Sequence, residues 1–448
     1  MNSIKAGFSR VNINPPMGIP IRGYYKPRFA EAVLDDLEVN VLALECGEVK
    51  TLLISIDHCG IEQVLNRELR KGASEVTGIP MENIILSSTH THTGPALELN
   101  SQDEIVKEYT SFVGGRVKDA AQFAVSDLKD AKMGYGKGVA PNVAFVRRYV
   151  MKDGSIKTNP GVNNPDIVRP VGNIDDSVNV MRFDREGADT IVFVNFANHP
   201  DVVGGSKISA DWPGLLRTNV EKILDGTKCI FFNGAQGDVN HVNVHPKGGD
   251  LNGMFMDFDD VSRGYSHAQY IARVVTGGVL QVYDKVNYID VDTLIAKQKV
   301  VNVPSNRPDP KDIPEAHRIN DLHNAGKDNE LPYEGMMLTT VVAEAARMVR
   351  LENGPDAFDM TLSAIAVGPV AIIGIPGEPF NGIGVGLKEA EGFEMILPCC
   401  LTNGSEGYFP MQDSYDEGGY EARSSRFKAG VAEFIIKEGK ELLGSLDK

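Results

Sequence analysis

Residues Asn83-Ile84-Ile85-Leu86-Ser87-Ser88-Thr89-His90-Thr91-His92-Thr93-Gly94-Pro95 set the plan of this chain. The apolar run reads as a buried strand, and Gly94-Pro95 stops regular structure. Two imidazoles therefore fall where a strand gives way to a loop, where α/β proteins commonly assemble their chemistry. Residues two apart on an extended chain point the same way, so His90 and His92 are predicted to face one cavity. Histidine is the commonest metal ligand at neutral pH. The pair reads as one arm of a metal site or, structurally, as two satisfied polar histidines at a strand end.

Outward from this stretch, strands and helices alternate. Residues 39–44 and 52–57 read as strands joined at Gly47, residues 62–77 and 103–128 as helices. Further strands are predicted over 133–139, 178–183, 190–196, 229–233, 361–367, 370–375 and 395–398. Helices are predicted over 213–224, 266–286, 335–351, 380–390 and 426–443, and Asp153-Gly154 marks a hairpin. Residues 8–25, rich in Pro and Gly, read as an ordered loop. Residues 245–260 read as a mobile surface loop, over the site or simply inserted. The pattern predicts an α/β fold with mixed β-sheets flanked by helices. Residues 1–448 are expected to form a single large domain with a metal crevice at strand ends.

Composition narrows the function. The 448 residues are 42% hydrophobic and 24% charged, ordinary for a globular protein. The net charge of -16 argues against a nucleic-acid partner and leaves no polybasic patch for anionic lipid. No apolar run reaches the length of a membrane span, and the N-terminus lacks the apolar core of a signal peptide. Cys46, Cys59, Cys229, Cys399 and Cys400 form no CxxC motif and read as free thiols in a reducing, cytoplasmic setting.

Three other strand ends carry candidate ligands: Asn198-His199-Pro200, Pro376-Gly377-Glu378 and the loop Asn403-Gly404-Ser405-Glu406-Gly407-Tyr408. Two histidines and a carboxylate suit catalytic zinc with one open position. Taken singly, each has a plainer reading. His199 is a hydrogen-bonded strand end, Glu378 solvates a turn, Tyr408 is an ordinary aromatic, and Asp211 caps the helix that follows it.

Thr89-His90-Thr91-His92-Thr93-Gly94-Pro95, Asn198-His199, Gly237-Asp238-Val239 and Pro376-Gly377-Glu378 together resemble the neutral/alkaline non-lysosomal ceramidase family. The opening Ala6-Gly7-Phe8-Ser9-Arg10-Val11-Asn12-Ile13 and Arg22-Gly23-Tyr24 fit as well. The resemblance implies one Zn2+ per chain held by His90, His199, Glu378 and Tyr408, with Tyr415 and Tyr420 competing for the tyrosine role. It implies His92 as a proton-transfer group or a donor beside the metal, and Arg148 or Arg147 near the substrate carbonyl. Asp211 and Asn240 join the catalytic candidates. The implied activity is zinc-dependent hydrolysis of an amide, an N-acyl amine of ceramide-like type. The alternatives are a zinc esterase or deacylase on a carbohydrate-type substrate, or a non-catalytic metal-binding relative. The expected partner is a small-molecule amide or ester.

Two departures stand out. The family's Gly-Asp-x-Ser-Pro-Asn reads Gly237-Asp238-Val239-Asn240-His241-Val242 here. Asn240 cannot act as a hydroxyl nucleophile, whereas activated water needs no serine. The C-terminal β-sandwich of full ceramidases is also expected to be absent from this chain.

Overall fold

Strands that alternate between two covered faces build the core of the computed structural model, which describes residues 3–446. The first sheet holds β1 (Lys5–Asn12), β2 (Glu38–Cys46), β3 (Val49–Ile56), β4 (Ile84–Ser88), β5 (Lys129–Val139), β6 (Ser177–Arg185), β7 (Thr190–Phe196), β8 (Thr227–Asn233) and β9 (Asn287–Ile289). Its order is β8-β7-β6-β5-β1-β2-β3-β4, with β9 pairing with β5. The outermost pairs, β7/β8 and β3/β4, are parallel. The rest are antiparallel. A second sheet runs β10 (Leu294–Pro304), β11 (Ala357–Val367), β12 (Val370–Gly374), β13 (Met395–Cys399), and its β12/β13 pair is parallel.

The two sheets pack face to face. Leu42, Leu44, Leu53 and Ile85 of the first sheet meet Ile365, Val367, Ile372 and Leu397 of the second. The alternate residues Val41, Ala43, Ile54 and Leu86 face outward, where α1 (Gln63–Thr77) and α2 (Glu104–Ser126) cover them with Leu65, Leu69, Val113 and Val117. At the other end of the sheet, Val192, Val194 and Phe231 are covered by Trp212 and Leu216 of α3 (Asp211–Ile223) and Ile271 and Val275 of α4 (Tyr265–Tyr283). The helices α5 (Ile313–Asn324) and α6 (Gly335–Leu351) pack on each other through Ala316, Ile319, Val341 and Val342. The outer face of the second sheet is closed by α7 (Asn381–Lys388) and α10 (Val431–Gly444). The short helices α8 (Gln412–Glu417) and α9 (Tyr420–Ser424) lie between those two in sequence. Four layers result: helices, sheet, sheet, helices. Burial on both faces explains why many strands read as continuous apolar runs.

The structure corrects the sequence reading in three places. Lys5–Asn12, partly inside the expected loop 8–25, is a strand in the middle of the first sheet. Its alternation is masked because polar Ser9 lies on a covered face, where its hydroxyl donates to the Ala120 carbonyl at 2.6 Å. Leu294–Pro304 is an edge strand whose lysines hide its periodicity; Lys299 pairs with Glu438 and Glu441 at 2.6 and 2.8 Å. The polar helix α5 gives no apolar period in the sequence, because its buried residues are Ala316 and Ile319. The Asp153-Gly154 hairpin is present between Arg148–Met151 and Ile156–Thr158. The 245–260 segment is mostly turns, with Phe255–Met256 paired to Ser262–Arg263 and Phe255 77% exposed. Among the described residues all five cysteines are free, and no helix is long and apolar enough to cross a membrane.

Candidate metal centre

Each of the three parallel pairs in the two main sheets sends one carboxyl end to the same place. His90 follows β4, His199 follows β7 and Glu378 follows β12, all three buried. The chain leaves β4 abruptly, because His90 takes the left-handed conformation with φ of 77°. His90 and His92 therefore meet across a turn and not along an extended strand, as the sequence predicted. A non-glycine residue held at positive φ is costly and concentrates where function requires it.

Both ligand-type histidines are oriented through their far nitrogens. His90 Nδ1 bonds the Cys59 carbonyl. His199 Nδ1 lies 3.0 Å from the carbonyls of both Gln236 and Val239. A carbonyl only accepts, so each Nδ1 carries a proton and each Nε2 is aimed inward. The two Nε2 atoms are 3.2 Å apart. Glu378 Oε2 is 3.2 Å from His90 Nε2 and 3.4 Å from His199 Nε2, yet it is buried without a hydrogen-bond partner. Donors about 2.1 Å from a tetrahedral ion lie about 3.4 Å from one another, which is the spacing of this trio. An orphaned carboxylate oxygen between two imidazoles calls for a cation. Without one, His90 supplies the charge: burial opposes its protonation, but Glu378 and Cys59 hold it well above its usual range.

His92 stands beside the trio, its Nε2 3.2 Å from that of His90. Burial holds it neutral, well below its usual value, against the pull of Asp201. Its Nδ1 is 3.6 Å from Asp201 Oδ1. Asp201 is in turn clamped by the Arg263 guanidinium at 2.9 and 2.7 Å and by the Tyr24 hydroxyl. Gly23 packs so closely on His92 that a Cβ there would fall 2.9 Å from the ring, and its φ of 112° also demands glycine.

Tyr408 enters through backbone pairing, since Glu378–Pro379 runs parallel to Tyr408–Phe409. The Arg147 guanidinium lies over the Tyr408 ring at 5.5 Å, and Tyr420 meets its edge at 5.6 Å. Burial, then Glu378, pushes the Tyr408 phenol well up against the opposing Arg147, so it keeps its proton. Arg147 is fixed by Glu421 at 2.6 Å and by the Gly237 carbonyl at 2.8 Å. Gly237 itself touches the ligand turn: its N–H donates to Pro379 at 2.8 Å, and a Cβ would fall 2.5 Å from the Glu378 carbonyl. His90, His92, Glu378, Tyr408, Tyr420 and Cys59 all open onto one crevice of about 340 Å³.

Six other expected residues are not among those lining it: His199, Arg147, Arg148, Asn240, Asp211 and Tyr415. Arg148 turns away to Ser414 and Glu417, both at 2.7 Å, leaving Arg147 as the arginine at the Tyr408 ring. Asn240 donates to Asn159 at 2.8 Å and accepts from Val242 N at 3.0 Å. Asp211, at φ of 55°, accepts the backbone N–H groups of Val202, Val203 and Trp212 and so braces the loop after His199. Tyr415 bonds Ser425 and the Phe427 carbonyl, outside the crevice. Cys59, read from the sequence only as a free thiol, and Asp201 were not expected at the site. Asp201 offered one signal, its place two residues after His199.

No protein-family model and no curated protein sequence matches the chain. Solved structures do. A neutral ceramidase from Pseudomonas aeruginosa superposes with a TM-score of 0.74 at 14% identity, covering 100% of this chain and 75% of its own. A ceramidase described as complexed with C2 gives 0.70 at 14%, covering 99% and 76%. Over essentially its whole length, this chain has the fold of the neutral ceramidases.

Proposed function

We propose that the protein is a zinc-dependent hydrolase that cleaves the amide bond of an N-acyl amine. The observation that carries this reading is the trio His90, His199 and Glu378, whose inward atoms have the spacing of ligands to one ion and include an unpartnered carboxylate oxygen. The ceramidase fold supports the reaction class. A bound zinc ion would supply Lewis-acid polarisation of the carbonyl and activation of water at neutral pH.

The chain's own residues divide the remaining work. His90, His199 and Glu378 hold the ion, and Tyr408 is close enough to Glu378 in register to serve as a fourth ligand or as a neutral hydrogen-bond donor. His92, its Nε2 3.2 Å from that of His90, is the group placed to accept a proton and return it to the departing amine. Gly23 packs against its ring, and Asp201 lies 3.6 Å from its Nδ1. The protonated Tyr408 phenol donates toward developing negative charge on the carbonyl oxygen. Asn240 replaces a hydroxyl without loss in this scheme, since it bonds Asn159 and stays out of the crevice. The ligands come from both sheets, which supports taking residues 1–448 as one hydrolytic unit. Buried free thiols support a reducing, cytoplasmic setting.

Elemental analysis and turnover of a short N-acyl amine test the proposal together. The expected result is about one zinc per chain and hydrolysis abolished by chelation and restored by zinc. Zinc bound with no amide cleaved, but esters cleaved, would move the assignment to an esterase.

A further inference from the structure

The crevice does not look like a berth for a long hydrocarbon chain. Of the twenty residues lining it, Leu97 is the single aliphatic one. Its mouth instead carries charge. Arg22, Arg350 and Arg426 line it, on a chain whose net charge is -16, together with Glu62 and Glu406, in whose fields Arg350 lies. Arg426 is already paired with Glu406 at 2.7 Å. Among the described residues no carboxylate lies within salt-bridge distance of Arg22 or Arg350.

Arg350 ends α6, and Arg22 comes from the loop that also packs Gly23 on His92. The two arginines therefore reach one crevice from different elements. Tyr25, 39% exposed, lines the same crevice and lies in the fields of both Arg350 and Glu378. Guanidinium groups suit planar, bidentate recognition of carboxylate and phosphate.

We propose that Arg350 and Arg22 form an oxyanion subsite at the crevice mouth, so that the substrate is a short N-acyl amine whose amine portion bears a carboxylate or a phosphate. This rests on the amide-hydrolase reading above. The anion anchors at the arginines while the acyl carbonyl reaches the trio, and the small polar crevice leaves room for a short acyl group only.

Three acetyl compounds test the subsite on the zinc-loaded protein: N-acetylethanolamine, N-acetylglycine and the phosphate ester of N-acetylethanolamine. Both kcat/KM and, by calorimetry, Kd are measured. Either anion is expected to be preferred over the neutral compound by about tenfold or more, as charge-assisted bonds allow. The better of the two anions identifies the source. In Arg350→Gln, and further in the Arg22→Gln/Arg350→Gln double variant, that preference collapses toward one. A preference that survives in the double variant would mean that the anion binds the metal directly, and it overturns the subsite, as does equal affinity for all three compounds in wild type. If none is hydrolysed, the amide-hydrolase reading fails, while the Kd ratios still decide whether the arginines bind an anion.

Discussion

Glu378→Gln isolates the charge that holds the centre together. Glutamine keeps the shape and one oxygen, but removes the carboxylate whose Oε2 lies 3.2 and 3.4 Å from the two imidazoles. Residues that merely support ligands cost 10–100-fold in metal affinity when mutated, so loss of a ligand charge should cost roughly a hundredfold or more. At free zinc a hundred times the wild-type Kd, binding stabilises the fold by about 2.7 kcal/mol; in the variant the same zinc gives only about 0.4 kcal/mol. At roughly 2.1 cal/mol/K per residue, a chain of 448 residues shifts its Tm by about 1 °C per kcal/mol. Zinc should therefore raise the wild-type Tm by about 3 °C and the variant's by less than about 1 °C. Scanning calorimetry with and without zinc reads the shift, and elemental analysis after dialysis reads the occupancy. An equal shift and undiminished zinc in Glu378→Gln would refute the ligand assignment.

Other outcomes follow from neighbouring features. His90→Ala and His199→Ala should each lose zinc and amide cleavage together; full zinc occupancy in either would remove that residue from the trio. Gly23→Ala drives a Cβ to 2.9 Å from the His92 ring and should lower kcat while zinc content stays near wild type, so an unchanged kcat would show that His92 tolerates displacement. Trp212 is fully buried between Phe196 and Phe231, and Trp212→Ala should cost about 3–5 kcal/mol in denaturant unfolding. His241 is buried and donates to the Ser262 carbonyl, and burial pushes its pKa down to about 3. Its folded pKa is depressed, so the unfolded chain binds more protons between roughly pH 6.5 and 3. Its contribution is present above that window and is lost as pH falls. His241→Gln should flatten the acid limb of the stability curve, and an unaltered slope would contradict the assignment.

Much of the fold was legible because burial leaves a periodic trace. Leu52, Leu53 and Ile54 could be read as a strand whichever face each residue took, since both faces are covered. The trace failed where polar residues sit on packed surfaces, as with Ser9 in β1, or where an edge strand turns Lys297 and Lys299 toward the C-terminal helix, to Ser445 and Glu438. The site was legible as separate strand ends only. Nothing local in the sequence says that Glu378 pairs with Tyr408 or that Cys59 offers its carbonyl to His90, because those relations are tertiary. Arg147 and Arg148 show the limit most clearly. Adjacent residues on an extended segment point oppositely, and only the three-dimensional setting shows which one reaches the tyrosine ring.

The trio draws on both sheets, and 109 residues separate even its two histidines. No partial structure that contains one sheet can hold the ion with all three donors. Tight metal capture is thus a late event in folding, after the sheets have docked. Contacts formed after the rate-limiting barrier slow unfolding and leave the folding rate almost unchanged. The ion should act on this protein as a latch, lengthening the lifetime of the finished molecule without guiding its assembly.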